Sequence, residues 1–231
     1  MNSNRRTSRI AGLAYVIIIV AGIFAEFFVR SGLVVPGDAA ATAQNITASE
    51  ALFRAGFVSD IVMLLFDVVV ALALYVLLKP VNRALALLAA LFRVTHTAIL
   101  GINTLNHFFA LLLLSGEGYL GVFNADQLHA LVLLFLDAHG YGYLIAQVFF
   151  GLHCAVIGYL IFRSGYIPKM LGVLLFAAAF GYLTESFTLF LFPGHEVITY
   201  PGLAAAVIAE VSLCLWLLLK GVDERAYVIT A

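Results

Sequence analysis

The stretch that decides the fold is residues 137–168, DAHGYGYLIAQVFFGLHCAVIGYLIFRSGYIP. It is an apolar helix of membrane-spanning length that ends in a charged turn containing glycine and proline. Three polar side chains, His139, Gln147 and His153, lie within it. Because polar groups are costly in lipid, we expect these side chains to find partners on other helices of a bundle.

The composition of the whole chain also indicates a membrane protein. Of its 231 residues, 64% are hydrophobic and 11% are charged, whereas roughly half of a soluble domain is apolar. The chain is therefore expected to be an integral membrane protein surrounded by the lipid bilayer. Its net charge is -1, and its basic residues lie at the ends of apolar segments, so no nucleic-acid partner is expected.

Six apolar segments are long enough to cross a membrane. They predict an all-α polytopic transmembrane helix bundle with a single domain over residues 1–231, and the predicted spans are residues 10–29, 52–78, 83–114, 138–162, 167–191 and 203–219. Residues 127–136 are apolar but too short to cross, so they form either an interfacial helix or an extension of the next span.

The segments around the first span carry two further expectations. The first apolar segment follows three arginines, and its length favours a spanning helix over a cleaved signal peptide, which stays open as an alternative. The polar, Gly- and Ala-rich stretch between Arg30 and Ser49 is expected to be an external loop.

The basic residues predict the orientation. Lysines and arginines gather at alternate segment ends, namely Arg5, Arg6, Arg9, Lys79, Arg83, Arg163, Lys169, Lys220 and Arg225. The intervening segments are acidic, and Arg54 at a helix start is the exception. Since positively charged segments stay in the cytoplasm, both termini are expected to be cytoplasmic.

Counting from the predicted cytoplasmic ends at about 1.5 Å per residue places the ionisable groups at two levels. Four groups from four helices share a level near the bilayer middle: Asp67, Arg93, His153 and Glu210. A second polar layer contains Glu26, Asp60, Asn103, Gln147 and Glu185. These nine residues are the candidates for binding a small ligand, an ion or a proton, because ionisable residues inside the membrane are functional candidates by default.

Asp67 and Arg93 flank the turn at Pro80 almost symmetrically. An antiparallel hairpin brings them level, and neither charge is stable alone in hydrocarbon, so we expect an intramembrane ion pair. Its role is either functional or limited to fixing the helix register. For His153 and Glu210, the alternatives are a hydrogen bond between two helices and a proton-accepting or ligand-binding cavity.

The histidines introduce an alternative function. His139 and His153 are fourteen residues apart, so both project from one helix face about 21 Å apart, as the paired haem ligands of b-type cytochromes do. His107 and His96 are expected near their levels, which would allow haem b or a metal ion to bind. The spacing of eleven between His96 and His107 and the absence of an HExxH motif weaken this alternative.

Residues 149–183, FFGLHCAVIGYLIFRSGYIPKMLGVLLFAAAFGYL, resemble the hallmark segment of the bacterial domain-of-unknown-function family 4386. RIAGLAY and LFRAGFVSDIVMLLFDVVVALALYVLLKPVNRALALLAALFRV fit its earlier blocks in the same order, so the resemblance covers nearly the whole chain. It implies a multi-pass protein of the bacterial cytoplasmic (inner) membrane and supplies no activity, substrate or catalytic residue. His96 and His107 lie outside the family pattern, which further weakens the haem scheme.

Three functions stay open from the residue pattern. The first is an uncharacterised membrane protein whose polar core binds or passes a small ligand, an ion or a proton. The second is a membrane-embedded enzyme or a haem- or metal-binding electron carrier that uses the histidines. The third is a structural or regulatory partner of another membrane protein. A homo-oligomer is compatible with each of them.

Overall fold

The computed structural model describes residues 3–222 and Tyr227, and all regular structure in this part of the chain is helical. The α-helices in order are α1 (Ser3–Ile23), α2 (Ser31–Leu33), α3 (Ala39–Ala48), α4 (Glu50–Leu78), α5 (Arg83–Leu113), α6 (Ala125–Ser164), α7 (Lys169–Leu191) and α8 (Tyr200–Leu219). A π-helix, Phe24–Arg30, joins α1 to α2. Short 3-10 helices precede α6 and α8, at Gly118–Val122 and Glu196–Thr199. Arg225, which contributed to the predicted orientation, lies outside the described residues.

Six helical segments are long and apolar enough to cross a membrane. They are Asn4–Leu33, Glu50–Leu78, Arg83–Leu113, Ala125–Ser164, Lys169–Leu191 and Glu196–Leu219. The predicted all-α, multi-pass class is therefore confirmed. Residues 127–136 are continuous with the rest of α6, which corresponds to the second of their two alternatives, an extension of the next span.

The external loop predicted between Arg30 and Ser49 is wrong in one respect, because it contains the helix α3. Asp38 begins this helix by accepting a hydrogen bond from the backbone N–H of Ala41 at 2.9 Å. The alanines that follow favour helix strongly. The helix buries Thr42, Ala43 and Ile46, so packing fixes a segment that its polar composition assigned to a loop.

Polar side chains in the turns also begin two of the long helices. Asn124 and Gln127 each accept a hydrogen bond from the backbone N–H of the other, at 2.9 and 3.0 Å, which is the reciprocal cap of a helix N-terminus. Asn82 Oδ1 accepts from the backbone N–H of Leu85 at 3.0 Å. These caps place the starts of α6 and α5.

The turn between α6 and α7 is held from within the fold. Gly165 has φ +74°, which a glycine adopts without strain. Tyr166 follows, and its hydroxyl donates to the carbonyl of Leu77 at 2.7 Å. Burial of this phenol raises the pKa of Tyr166. Pro168 then caps α7.

The residues form two compact units, and α1, α4, α5 and α6 each contribute to both. Unit 1 contains the described residues up to Ile17, residues 66–98 and the described residues from Leu144 onward. Its buried apolar side chains include Leu74, Leu77, Ile157, Leu160, Leu213 and Leu217. Unit 2 contains residues 18–65 and 99–143, and its core comprises Val29, Leu33, Ile46, Phe53, Ala110, Leu111, Val132 and Leu136.

Glycines in unit 1 let helices approach at backbone distance. A Cβ atom on Gly181 of α7 would lie 2.4 Å from the carbonyl oxygen of Gly202 on α8. One on Gly158 of α6 would lie 2.8 Å from the carbonyl oxygen of Gly172 on α7. Because the atoms in the way belong to the backbone, a side chain at either position would push a whole helix aside.

We expect Gly181→Ala to destabilise the protein by about 1 to 3 kcal/mol, the usual cost of overpacking, and to lower its unfolding temperature in detergent. Gly140→Ala is the matched control, because a Cβ atom there meets no heavy atom within 4 Å. That change should be neutral or stabilising by up to about 1 kcal/mol, since alanine favours helix over glycine. Equal unfolding temperatures for the two variants would contradict the close approach of α7 and α8.

Candidate functional site

The centre of unit 1 is an ion pair between Arg93 and Asp67. Arg93 is 1% exposed, and its Nε and Nη2 atoms donate to Asp67 Oδ1 at 2.9 and 2.5 Å. Thr97 donates to the second oxygen of Asp67 at 2.5 Å. The pair predicted from the symmetric positions of the two residues around the turn is therefore confirmed.

Aromatic rings enclose the guanidinium of Arg93. Its Nη1 atom donates to the hydroxyl of Tyr15 at 2.9 Å and lies 3.2 Å from Nε2 of His153. Its Cζ atom lies 5.0 Å from the ring centroid of Tyr15 and 5.1 Å from that of Phe150, within cation–π range. Residues from α1, α4 and α6 thus converge on one side chain of α5.

The contacts of His153 determine where its proton lies. Arg93 has only donors, so Nε2 of His153 must accept from it. Nδ1 lies 2.8 Å from the carbonyl oxygen of Ala89 and must therefore donate. His153 is neutral in this arrangement, with its proton on Nδ1. The alternative of a hydrogen bond between His153 and Glu210 is wrong, because both ring nitrogens are already engaged.

Glu210 instead accepts a hydrogen bond from the hydroxyl of Tyr182, which joins α8 to α7. The ring of Tyr182 packs edge-on against Phe150, with centroids 5.3 Å apart. Phe150 also packs against His96 and His153, at 4.8 and 5.6 Å. The residues predicted for the middle level are therefore gathered around Arg93 and Phe150.

Two residues predicted for the second layer, Gln147 and Glu185, also belong to unit 1. Gln147 is buried on α6, and Glu185 lies on α7 with its Oε2 atom buried and without a hydrogen bond. Among the described residues, neither Glu185 nor Glu210 has a basic side chain within ion-pairing distance. Within the long helices α4, α7 and α8, the described residues of unit 1 therefore include one paired carboxylate, Asp67, and two carboxyl groups without a countercharge, Glu185 and Glu210.

Unit 2 has a separate polar cluster around Arg30. The Nε atom of Arg30 donates to Glu26 at 2.7 Å, and its Nη1 atom donates to Asp60 at 2.8 Å. Glu26 and Arg30 both lie in the π-helix. Turns of π-helix are rare in proteins, and a large share of those known lie at functional sites. The structure thus brings together two of the predicted residues, Glu26 and Asp60, through an arginine.

The remaining predicted residues of unit 2 lie beside this cluster. The rings of His107 and His139 are stacked, with centroids 3.9 Å apart and an angle of 20° between the planes. Nδ1 of His107 lies 3.7 Å from Oδ2 of Asp60. Asn103 donates to the carbonyl of His139 at 2.8 Å. The Asn103 side chain also packs directly against Gly142. A Cβ atom on Gly142 would lie 2.0 Å from Asn103 Oδ1.

The histidine geometry bears on the haem and metal alternative. In the described part of the chain, no group of three His, Cys, Asp or Glu side chains is placed to hold a metal ion. The stacked rings of His107 and His139 leave no space for a porphyrin between them, and both nitrogens of His153 are engaged.

Four residues of these clusters, Tyr15, Thr97, Tyr182 and Arg30, are not among the predicted site residues. Tyr15, Thr97 and Tyr182 are uncharged, and a depth count that includes hydroxyl groups finds Tyr15, which is ten residues from Arg5. Arg30 ends an apolar run, so it was assigned to the boundary of the first span. Nothing in the sequence predicts the π-helix that turns Arg30 toward Asp60.

A double-mutant cycle tests the ion pair. Arg93→Ala and Asp67→Ala should each destabilise the protein by about 3 to 5 kcal/mol, because each leaves a buried charge without its partner. The double variant should lose clearly less than the sum of these losses. The exposed pair of Glu50 and Arg54 is the control, with an expected coupling of about 0.3 to 0.5 kcal/mol. Additive losses at Arg93 and Asp67, measured by unfolding in detergent, would count against the pair.

Comparisons with known proteins identify the family. The chain matches the family described as "Domain of unknown function (DUF4386)" over residues 10–221. An uncharacterized protein of Archaeoglobus fulgidus (strain ATCC 49558 / DSM 4304 / JCM 9628 / NBRC 100126 / VC-16) is 31% identical over 164 residues, and the match covers 69% of this chain and 79% of that relative. No solved structure matches the chain. The protein is thus a multi-pass membrane protein that belongs to the DUF4386 family.

Proposed function

We propose that the protein binds and passes a cation, in the simplest case a proton, and that Glu210 and Glu185 are the carboxyl groups that exchange it. One contrast carries the proposal. Asp67 is paired with Arg93, whereas Glu185 and Glu210 have no basic partner among the described residues. Because a carboxylate without a countercharge is costly in hydrocarbon, such a group requires a proton or another cation.

The hydrogen bond between Tyr182 and Glu210 suits a group that changes its protonation state. In the structure the Tyr182 hydroxyl donates to Glu210, and a charged carboxylate accepts such a bond. A protonated Glu210 can donate to the oxygen of the same hydroxyl, because a hydroxyl group is both a donor and an acceptor. The contact between α7 and α8 therefore survives both states, and the two helices need not separate when the proton leaves.

Arg93 and Asp67 have a different role in this proposal, which is to fix the helices around the exchanging groups. Their charges cancel, and their hydrogen bonds reach Tyr15, Thr97 and His153 on three different helices. A pair with this many partners is too costly to open for each transfer. The pair is therefore the scaffold of the site.

We further propose that the protein lies in the cytoplasmic (inner) membrane of a bacterium with both termini in the cytoplasm. The support for this orientation is the distribution of charged residues at the helix ends. Lys79 and Arg83 flank the turn between α4 and α5, and Arg163 and Lys169 flank the turn between α6 and α7. The segment between α5 and α6 carries Glu117 and no lysine or arginine.

Dicyclohexylcarbodiimide, an apolar reagent that couples to protonated carboxyl groups, tests the proposed exchange. We expect mass spectrometry to find the adduct on Glu210 and Glu185 and not on the ion-paired Asp67. In proteoliposomes with an imposed pH gradient, Glu210→Gln should slow proton flux on the order of 100-fold, as for the loss of a positioned proton-transfer group. Glu117→Gln, at an exposed loop residue, is the control. Wild-type flux equal to that of empty vesicles, with no adduct on either glutamate, would refute the proposal.

Cysteine accessibility tests the orientation. In intact cells, a membrane-impermeant maleimide should label Glu117→Cys and should leave Lys79→Cys unlabelled until the cells are opened. The native Cys154 and Cys214 are buried, so their background labelling should be low. Labelling of Lys79→Cys in intact cells would reverse the proposed orientation.

A further inference from the structure

Unit 2 contains a charged centre that the proposed function does not use. Glu26 and Asp60 both bond to Arg30, and the stacked rings of His107 and His139 lie beside them. With neutral imidazoles, two carboxylates and one guanidinium sum to a charge of -1. The centre therefore lacks one positive charge within a membrane-spanning part of the chain.

His107 is held in this centre by ring contacts and one long polar contact, without a hydrogen bond to another described residue. It is 4% exposed, and its contacts among the described residues are the stacked ring of His139, the tilted ring of Phe53 and Asp60. The 3.7 Å between Nδ1 of His107 and Oδ2 of Asp60 is too long for a hydrogen bond but within ion-pairing distance. Because buried polar groups are nearly always hydrogen-bonded, this geometry calls for a further ligand.

The backbone gives an independent observation at the same place. Glu26 and Arg30 belong to the π-helix, which ends with the backbone N–H of Ser31 donating to the carbonyl of Glu26. From this turn, Arg30 donates both to Glu26 and to Asp60. Such turns persist where a function requires them.

We infer that unit 2 contains a second cation site, in which the His107–His139 pair binds a single proton. The proton supplies the missing positive charge and gives His107 an ion pair with Asp60. Arg30 opposes its uptake, while Glu26 and Asp60 favour it. The stacking limits uptake to one proton, since two imidazolium rings 3.9 Å apart would repel each other.

Nitrogen NMR of the full chain in lipid nanodiscs, labelled with ¹⁵N-histidine, tests this inference. The signals can be assigned with His107→Asn and His139→Asn. Between about pH 8 and pH 5, where imidazoles normally titrate, we expect the pair to gain one proton in total. His153, whose two ring nitrogens are both engaged, should stay neutral over the same range. A pair that stays neutral to pH 5, or that gains two protons, would overturn the inference.

Replacing Asp60, the carboxylate that faces His107, tests the inference most directly. Asp60→Asn should lower the midpoint of proton uptake by about one pH unit or more, whereas Asp38→Asn, at an exposed helix cap, should leave it unchanged. If Asp60→Asn does not fold, Glu26→Gln should lower the midpoint in the same direction, since Glu26 is half exposed and less buried in the core. Unchanged midpoints in the folded variants would overturn the inference. The titration should be the same in Glu210→Gln, so it is independent of the function proposed for unit 1.

Discussion

The cost of a charge without a partner in hydrocarbon explains the arrangement of both units. In unit 1, Arg93 lies among a carboxylate, a tyrosine hydroxyl, a neutral imidazole and two aromatic faces. In unit 2, Arg30 is held between Glu26 and Asp60. Each arginine joins helices that are distant in sequence, because no single helix supplies enough partners for a buried guanidinium.

The cost of an unpaired charge distinguishes the carboxyl group that stabilises the fold from those that can change their protonation state. Asp67 is fully engaged by Arg93 and Thr97, so its protonation would disrupt the contacts between α4 and α5. Glu210 has a hydroxyl partner that tolerates both of its protonation states, and Glu185 has a buried oxygen without a partner. In the proposed function, the carboxyl groups without a countercharge exchange the cation, and the ion pair keeps them in place.

The candidate site could be predicted only in part, for a geometrical reason. Counting residues from a helix end gives the level of a side chain in the membrane. This level was enough to predict the ion pair of Asp67 and Arg93, because their helices are joined by one short turn. The same count placed His153 level with Glu210, but these two residues bond to other groups. A common level does not bring side chains together unless the helices are also rotated toward each other.

The sequence by itself determined the all-helical membrane class, the six spans, the family and the ion pair across the turn at Pro80, since hydrophobic length and helical rise are local properties. The tertiary structure decided the remaining features. The contact between Tyr15 and Arg93 spans 78 residues of sequence. The tautomer of His153 depends on a carbonyl of another helix, and the π-helix that presents Arg30 has no signal in the apolar run. Partners on separate helices are chosen by rotation and packing, which depend on all the spans at once.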